Sequence, residues 1–155
     1  MDSDIAQYWM REALTEARKA ASAEEVPIGA ILLLNEKVIG RGHNSSIHLH
    51  DPSAHAEIVA LRQAAHNISN YRLPGSILIC TIEPCIMCVG AMIQARVEML
   101  VYGAVDPKAG AVHSCFQLAT HPSLNHQIEV ESGVLEDECG SILKDFFRTR
   151  RNPSG

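Results

Sequence analysis

Residues 76–95 have the sequence SILICTIEPCIMCVGAMIQA. Ser76 to Thr81 is apolar and rich in β-forming residues, which predicts a strand. Cys85 to Ala95 has the length and composition of a helix, and Val97 to Tyr102 is a further apolar, strand-like run. Helices that alternate with strands favour a layered α/β domain in which at least part of the sheet is parallel.

The same alternation continues on both sides of this segment. Three helices are predicted from apolar residues at helical spacing: Ile5–Ala23, His55–His66 and Glu136–Arg151. Three more strands are predicted from short apolar runs: Ile28–Leu34, Val38–Gly42 and Ile128–Glu131. Asp106 to Asn125 is mixed in character and predicts a loop or a short helix. No internal repeat and no linker is visible, so we expect one domain, residues 1–155.

The composition indicates a soluble protein. The chain is 46% hydrophobic and 20% charged, and it has no apolar run of about 18 residues that would predict a membrane span. The N-terminus is amphipathic and starts with acidic residues, unlike a secretion signal, so we expect a cytoplasmic protein. Five cysteines in a reducing compartment favour thiols or metal ligands over disulfides.

The distribution of charge bears on nucleic-acid binding. A formal net charge of −5 argues mildly against a general nucleic-acid coat protein, but it allows binding through a local patch. The last predicted helix contains such a patch, formed by Lys144, Arg148, Arg150 and Arg151. Basic residues are also favoured at helix C-termini by the macrodipole, so a solvated helix end explains this cluster equally well.

Two short motifs carry the chemistry. His55-Ala56-Glu57 opens one predicted helix, and Glu83-Pro84-Cys85-Ile86-Met87-Cys88 opens another. Cysteines three positions apart at the start of a helix can turn both sulfurs toward one point, where the helix N-terminus favours thiolates. Two thiolates and the imidazole of His55 make three ligands of a tetrahedral zinc ion and leave the fourth position for water. An open position of this kind is typical of a catalytic zinc site.

Other interpretations of these motifs explain less. A redox Cys-x-x-Cys pair would leave His55 and Glu57 without a role. A structural zinc site needs a second cysteine pair, which the remaining cysteines do not form: Cys80, Cys115 and Cys139. Each motif residue taken alone has an ordinary structural explanation, but the combination is hard to explain as core packing.

A His-x-Glu motif followed by Pro-Cys-x-x-Cys matches the signature of the zinc-dependent nucleobase deaminases. Zinc lowers the pKa of its bound water toward neutrality, which gives hydroxide near pH 7. Glu57 is two positions from a ligand, and it could accept the proton of this water and pass it to a ring nitrogen. It could then protonate the departing amino group. Glu57 is therefore the predicted catalytic residue.

From Ile5 to Arg151 the sequence resembles the bacterial tRNA-specific adenosine deaminases. The stretches that carry the resemblance are Val26–Ala30, Asn44, Asp51–Glu57, Thr81–Cys88, His121–His126 and Asp145–Arg151. The resemblance implies a cytidine-deaminase-like three-layer α/β/α fold with a central mixed sheet of about five strands. It also implies a homodimer with one zinc ion (Zn2+) per subunit, which converts adenosine to inosine at the wobble position of an arginine tRNA anticodon.

The resemblance further implies roles for residues outside the zinc motifs. Asn44 would hydrogen-bond the target base, and Pro27 and Ile28 would line its pocket. Asp106 and Asn125 would contact the flanking sugar-phosphate. The last helix would supply three contacts of a kind suited to unstacked RNA bases: Phe147, Arg148 and Arg150.

Several points stay open at the level of sequence. Phe146 and Phe147 are about 100° apart on a helix, so one is expected to face the core. His113 stands where the family pattern leads us to expect a small residue such as glycine. Deaminases of free bases such as guanine or cytosine share the zinc motif, and an inactive zinc-stabilised scaffold is a third alternative. The basic ending favours the tRNA enzyme, and Glu57 argues against the scaffold.

Overall fold

The computed structural model describes residues 1–151, and residues 152–155 of the predicted domain lie outside the described residues. Within the described range the helices are α1 (Ser3–Ser22), α2 (Ser46–Leu49), α3 (Ala56–Ile68), α4 (Ile86–Ala95) and α5 (Glu136–Arg151). The strands are β1 (Gly29–Leu34), β2 (Lys37–His43), β3 (Ile77–Ile82), β4 (Met99–Ala104) and β5 (Glu129–Glu131). Every helix and strand expected from the sequence is present, with bounds shifted by at most two residues.

The strands form one mixed sheet in the order β2-β1-β3-β4-β5. β1 is antiparallel to both β2 and β3, whereas β3, β4 and β5 are parallel to one another. The hairpin between β1 and β2 turns at Asn35 and Glu36, which both have positive φ, as tight hairpin turns of the mirror-image type require. α4 is the crossover from β3 to β4. The expected mixed sheet with a parallel part is therefore confirmed.

Helices cover both faces of the sheet. On one face α3 and α4 pack against alternate side chains of the central strands, among them Leu78 and Leu100. On the other face α1 and α5 pack against the intervening side chains, among them Ile79 and Val101. Successive side chains of a strand point to opposite faces, so each central strand contributes to both cores. This confirms the three-layer α/β/α fold that the resemblance implied.

Three glycines, Gly29, Gly40 and Gly42, allow helix backbones to lie directly against the β1–β2 hairpin. A Cβ atom on Gly29 would lie 2.0 Å from the carbonyl oxygen of Ala13 in α1, and one on Gly42 would lie 2.3 Å from that of Ala56 in α3. Protein interiors are close-packed, so a side chain at either position would push the helix away. The contact at Gly42 positions the site, because Ala56 is the first residue of α3 and directly follows His55.

The short helix α2 was not expected from the sequence. Its amides at Ile47 and His48 donate to the buried carboxylate of Glu25, at 3.2 and 2.9 Å. One helical turn is marginal by itself, so α2 depends on this distant acceptor. The connection between Ala104 and Glu129, which the structure describes in full, forms turns without helix or strand. Among residues 1–151, no helix has the length and apolar character needed to cross a membrane.

Candidate zinc and active site

Both chemical motifs lie at helix starts. His55 is the N-cap residue of α3 and Cys85 is that of α4, and both have extended backbone conformations. Neither side chain caps its own helix. At α3 the Oδ1 atom of Asn44 accepts from the Ala56 amide instead, at 2.8 Å, which satisfies one of the amides left open at a helix start. The His55 imidazole and the Cys85 sulfur therefore point toward a common centre.

The three predicted metal ligands converge at this centre. The Sγ atoms of Cys85 and Cys88 are 3.7 Å apart, and Nδ1 of His55 lies 3.5 and 3.6 Å from them. A zinc ion with ordinary bond lengths and tetrahedral angles places two sulfurs about 3.8 Å apart, and a sulfur and a nitrogen about 3.6 Å apart. The donor set and its spacing therefore fit zinc. In the part of the chain that the structure describes, it is the one group of three or more side chains placed to share a metal ion.

Hydrogen bonds among the two thiols and the imidazole shift the pKa of each group. A hydrogen bond from Cys88, and a further one from His55, lower the pKa of the Cys85 thiol to about 3 in spite of its partial burial. The pKa of Cys88 is raised, because this thiol donates to Cys85 and is buried. The hydrogen bond to Cys85 raises the pKa of His55. Negative charge is thus already favoured at the centre where a cation would bind.

Glu57 lies in the first turn of α3, two residues after His55, and its residue surface is only 4% exposed. Burial raises the pKa of its carboxyl group, and the positive charge of His55 opposes this change. Buried carboxyl groups in the interior of a protein are uncommon unless they are paired or functional. Glu57 is therefore the group in the site that is suited to hold and transfer a proton.

Hydrogen bonds hold the predicted base-binding residues at the metal end of the sheet. The amide of Asn44 donates to the carbonyl oxygen of Ile28 at 3.2 Å, and the side chain of Asn44 holds the start of α3. Gly29 donates to the hydroxyl of Thr81 at 3.2 Å, which places the segment with Pro27 and Ile28 at the end of β3 that leads to Cys85. The structure thus brings these three residues to the metal end of the sheet.

Comparison with known proteins identifies the family. A family model described as MafB19-like deaminase matches residues 5–151. The tRNA-specific adenosine deaminase of Haemophilus influenzae is 48% identical over 150 residues, which cover 96% of this chain and 87% of that protein. The enzyme of the same name from Bacillus subtilis is 45% identical over 145 residues, 94% of this chain and 90% of that protein. The chain belongs to the tRNA-specific adenosine deaminase family.

Solved structures agree with this assignment. A structure from a study of A-to-I editing by tRNA:A34 deaminases at the wobble position is 46% identical, with a TM-score of 0.85 over 88% of this chain and 99% of that one. A guanine deaminase from Nitrosomonas europaea is 25% identical, with a TM-score of 0.76 over 88% of this chain and 81% of that one. The fold is therefore shared with free-base deaminases, while the sequence is much more similar to the tRNA-acting ones.

In this member of the tRNA-specific deaminase family, the predicted RNA contacts at the end of α5 differ in exposure and in their partners within the protein. Phe146 is partly buried, and Phe147 is 40% exposed, so Phe147 is the ring that faces solvent. The Arg150 guanidinium lies over the Phe146 ring, 4.6 Å from its centroid, and donates to the carbonyl oxygen of Glu24. Arg148 is exposed and pairs with Asp145 at 3.0 Å. The side chain of Arg151 lies outside the described residues.

The two predicted sugar-phosphate contacts lie at different places. Asp106 is close to the metal end, but its Oδ1 atom accepts from the amides of Lys108 and Ala109 and so caps a turn. Asn125 precedes His126, whose Nε2 lies 2.7 Å from the carbonyl oxygen of Val97, just before β4. The ends of parallel strands are level in this sheet, so that position is at the end opposite to Cys85. Within one chain, Asn125 is therefore not brought to the metal centre.

One residue of the site was missed at the level of sequence. Glu83 was quoted as part of the cysteine motif without a role, yet it is 3% exposed and accepts several hydrogen bonds. Burial alone would raise the pKa of its carboxyl group, but bonds from the Ser114 hydroxyl and from backbone amides lower it to about 2. An acidic residue directly after an apolar strand was the available signal, since a charge there needs partners.

Proposed function

We propose that this protein hydrolyses adenosine to inosine at the wobble position of an arginine tRNA anticodon. The observation that carries the proposal is the convergence of His55, Cys85 and Cys88 at zinc spacing beside the buried Glu57. The similarities support the tRNA substrate, because named tRNA-specific adenosine deaminases are 45–48% identical to this chain and the guanine deaminase is 25% identical.

Zinc is the metal that we propose, with one ion per subunit held by His55, Cys85 and Cys88. Two sulfurs and one imidazole suit zinc and do not suit magnesium or calcium, which prefer oxygen ligands. When bound, zinc would supply Lewis acidity that lowers the pKa of a coordinated water toward neutrality. Three protein ligands leave one of the four positions open to solvent or substrate.

Glu57 is the residue that we propose to move the protons. Its carboxylate would accept one proton from the attacking water and deliver it to N1 of the adenine ring. It would then take the second proton from the hydroxyl now on C6 and deliver it to the departing amino group. Adenosine and water thereby give inosine and ammonia. The burial of Glu57 supports this role, because a proton held there is shielded from exchange with bulk water.

Asn44 is proposed to orient the target base. Its backbone amide is fixed to Ile28, and its Oδ1 is fixed to the start of α3. Because the Oδ1 atom is bonded to the protein, the side-chain nitrogen, Nδ2, is the group that would donate to an acceptor on the base. Pro27 and Ile28 would form the apolar wall on which the base rests.

The anticodon loop would be bound by residues around the pocket. We propose that Phe147 stacks on an unstacked base and that Arg148 contacts a phosphate. Arg150 would join them only by leaving the Phe146 ring and the Glu24 carbonyl. We also propose Asp106, near the metal end, and Asn125, near the opposite end of β4, as sugar-phosphate contacts.

A homodimer is proposed on the exposed side of α4. This helix has no charged residue, and Ile86 is 56% exposed on it. A second copy of the chain would cover such a surface, and Ile86→Glu should then shift the protein toward monomer in sedimentation equilibrium.

We also propose that residues 1–155 act as one domain, and that the enzyme works in the cytoplasm where its tRNA substrate is found.

The decisive assay is inosine formation in a transcribed arginine tRNA anticodon stem-loop, with free adenosine, cytosine and guanine measured in parallel. We expect inosine at the wobble adenosine and no turnover of free bases. A stem-loop with guanosine at the wobble position is the matched control. Deamination of free guanine without activity on the stem-loop would keep the zinc chemistry and replace the substrate.

A further inference from the structure

The loop after β4 lies against the turn that carries a metal ligand. Residues 105–116 are called the rim loop here. The amide of Ala111, in the middle of the rim loop, donates to the carbonyl oxygen of Pro84 at 2.8 Å. Pro84 immediately precedes Cys85, so the conformation of the rim loop determines the surface beside the metal centre.

The main attachment of the rim loop is the buried carboxylate of Glu83. Its Oε2 atom accepts from three consecutive amides at 2.8–3.1 Å, those of Val112, His113 and Ser114. Its Oε1 atom accepts from the Asp106 amide at 3.0 Å and from the Ser114 hydroxyl at 2.6 Å. Hydrogen bonds to a charged acceptor are roughly twice as strong as neutral ones. The rim loop is thus folded around the carboxylate of Glu83.

Gly110 completes this arrangement. A Cβ atom at Gly110 would lie 2.3 Å from Cδ of Glu83 and 2.4 Å from both of its oxygens. No side chain fits there while the carboxylate occupies its present position. The rim loop therefore requires a carboxylate at position 83 and the absence of a side chain at position 110 at the same time.

A second contact holds the same loop from the sheet. The hydroxyl of Tyr102, a residue of β4 whose surface is fully buried, forms a hydrogen bond with Nδ1 of His113. His113 is thus attached through its backbone to Glu83 and through its ring to β4. This gives the unexpected histidine a structural partner and leaves Glu83 as the acceptor for most of the loop.

We infer that Glu83 is a positioning residue for substrate binding, which sets the conformation of the rim loop and so holds Asp106 at the metal end of the sheet. Glu83 does not touch the reacting atoms in this inference. Without the carboxylate, five donors of the loop lose their acceptor, and one of them, the Val112 amide, is buried, where an unpaired donor is costly. The loop would then adopt other conformations, while His55, Cys85 and Cys88 keep their own positions. The inference rests on the proposed function only for its kinetic measurement.

The first test compares Glu83→Gln with the wild-type zinc enzyme. The amide of Gln keeps one acceptor oxygen and turns an NH2 group toward backbone donors. We expect zinc content to stay at the wild-type level and KM for the anticodon stem-loop to rise about tenfold, the equivalent of one lost charged hydrogen bond, with a much smaller change in kcat. In 15N-labelled protein, the amide signals of residues 106, 112, 113 and 114 should shift together.

The second test uses the steric relation between Gly110 and Glu83. Gly110→Ala should raise KM by itself, because its Cβ displaces the carboxylate. In a Glu83→Ala background the space is vacated, so adding Gly110→Ala should have little further effect on KM. Gly140→Ala is the matched control, since a Cβ there meets only the Cβ of Ala104 at an ordinary 3.8 Å; it should leave KM and the rim-loop amide signals unchanged.

The outcomes separate this inference from the proposed function. Loss of zinc in Glu83→Gln, or unchanged KM and unchanged rim-loop signals, would overturn the positioning role. Additive effects of the changes at positions 83 and 110 would also overturn it. A wild-type enzyme that is inactive on the stem-loop would refute the proposed substrate, while the shared shift of the four amide signals would still support the attachment of the loop to Glu83.

Discussion

The metal centre and the end of α5 differ in how their side chains are held. The ligand atoms of His55, Cys85 and Cys88 lie within 3.7 Å of one another, and Glu57 beside them is 4% exposed. At the end of α5, Phe147 is 40% exposed and Arg148 pairs with Asp145, three residues before it on the same helix. The comparison indicates that the chemical groups are preorganised inside the protein, whereas the surface proposed to meet RNA can adapt to it.

The largest effect is expected from breaking the metal centre. Cys85→Ala removes one of three ligands, so the site should lose most of its zinc and all measurable deamination. Cys115→Ala is the matched control, because Cys115 is exposed and is not part of the metal group. Zinc per chain, measured by elemental analysis of both variants, checks the prediction. Full zinc content in Cys85→Ala would show that the ligands are assigned incorrectly.

Glu57→Ala should separate the chemistry from the metal. Zinc content and melting temperature are expected to stay near wild type, because the ligands remain and a buried carboxyl is removed rather than added. The rate of inosine formation should fall about 10³-fold or more, in the range of a lost general acid-base group. The measurement is single-turnover inosine formation with zinc content determined on the same sample. A rate within tenfold of wild type would exclude Glu57 as the proton carrier.

Each half of the metal centre could be predicted because the geometry within it is local. The convergence of the two halves, with His55 and Cys85 30 positions apart, was expected from the combined motif. His55 with Glu57, and Cys85 with Cys88, are two or three positions apart at helix starts, and helix geometry fixes how such pairs point. The helices and strands were also predictable, since their apolar periodicity reflects the two faces of the sheet. The motif's Glu83 was visible in the sequence, but its role was not.

Outside this combined signature of His-x-Glu and Pro-Cys-x-x-Cys, residues whose roles depend on distant partners could not be predicted. The amides that Glu83 holds are 23 to 31 positions away, and those that Glu25 holds are 22 and 23 positions away. No local pattern marks such pairs, because they form only when the sheet brings separate loops together. The same holds for Asn125. Its place at the end of the sheet opposite to Cys85 follows from the contact of its neighbour His126 with Val97.

A moderate effect on stability is expected at Glu25, which holds α2 near the pocket. Burial would raise the pKa of this carboxyl group, but hydrogen bonds from His48 and Ile47 outweigh it and lower the pKa below the ordinary 4.5. A carboxyl whose folded pKa is lowered stabilises the protein above pH 4.5, and this contribution is lost as pH falls below that value. Glu25→Gln should therefore lower the free energy of unfolding at pH 7 by about 1–3 kcal/mol.

Urea unfolding at several pH values checks this prediction. The difference between wild type and Glu25→Gln should shrink as the pH falls below 4.5. Glu24→Gln is the matched control, since Glu24 is the exposed neighbour of Glu25. The control removes the same charge without the hydrogen bonds of Glu25 to α2. Equal losses in both variants would assign the effect to net charge.

The smallest effect is expected at the exposed end of α5. Phe147→Ala should leave zinc content and stability unchanged and weaken binding of the anticodon stem-loop by about 1–3 kcal/mol, the range for loss of one base-stacking ring. Phe146→Ala should instead lower the stability of the protein more than its affinity for RNA, because Phe146 is partly buried beneath Arg150. Binding is measured by fluorescence anisotropy in the Glu57→Ala background, which prevents turnover. Tyr71→Ala, at a residue 67% exposed in the loop before β3, is the control for loss of an exposed ring. If Phe147→Ala binds as tightly as this control, the RNA surface lies elsewhere, and the adaptable end of α5 serves only to complete the core.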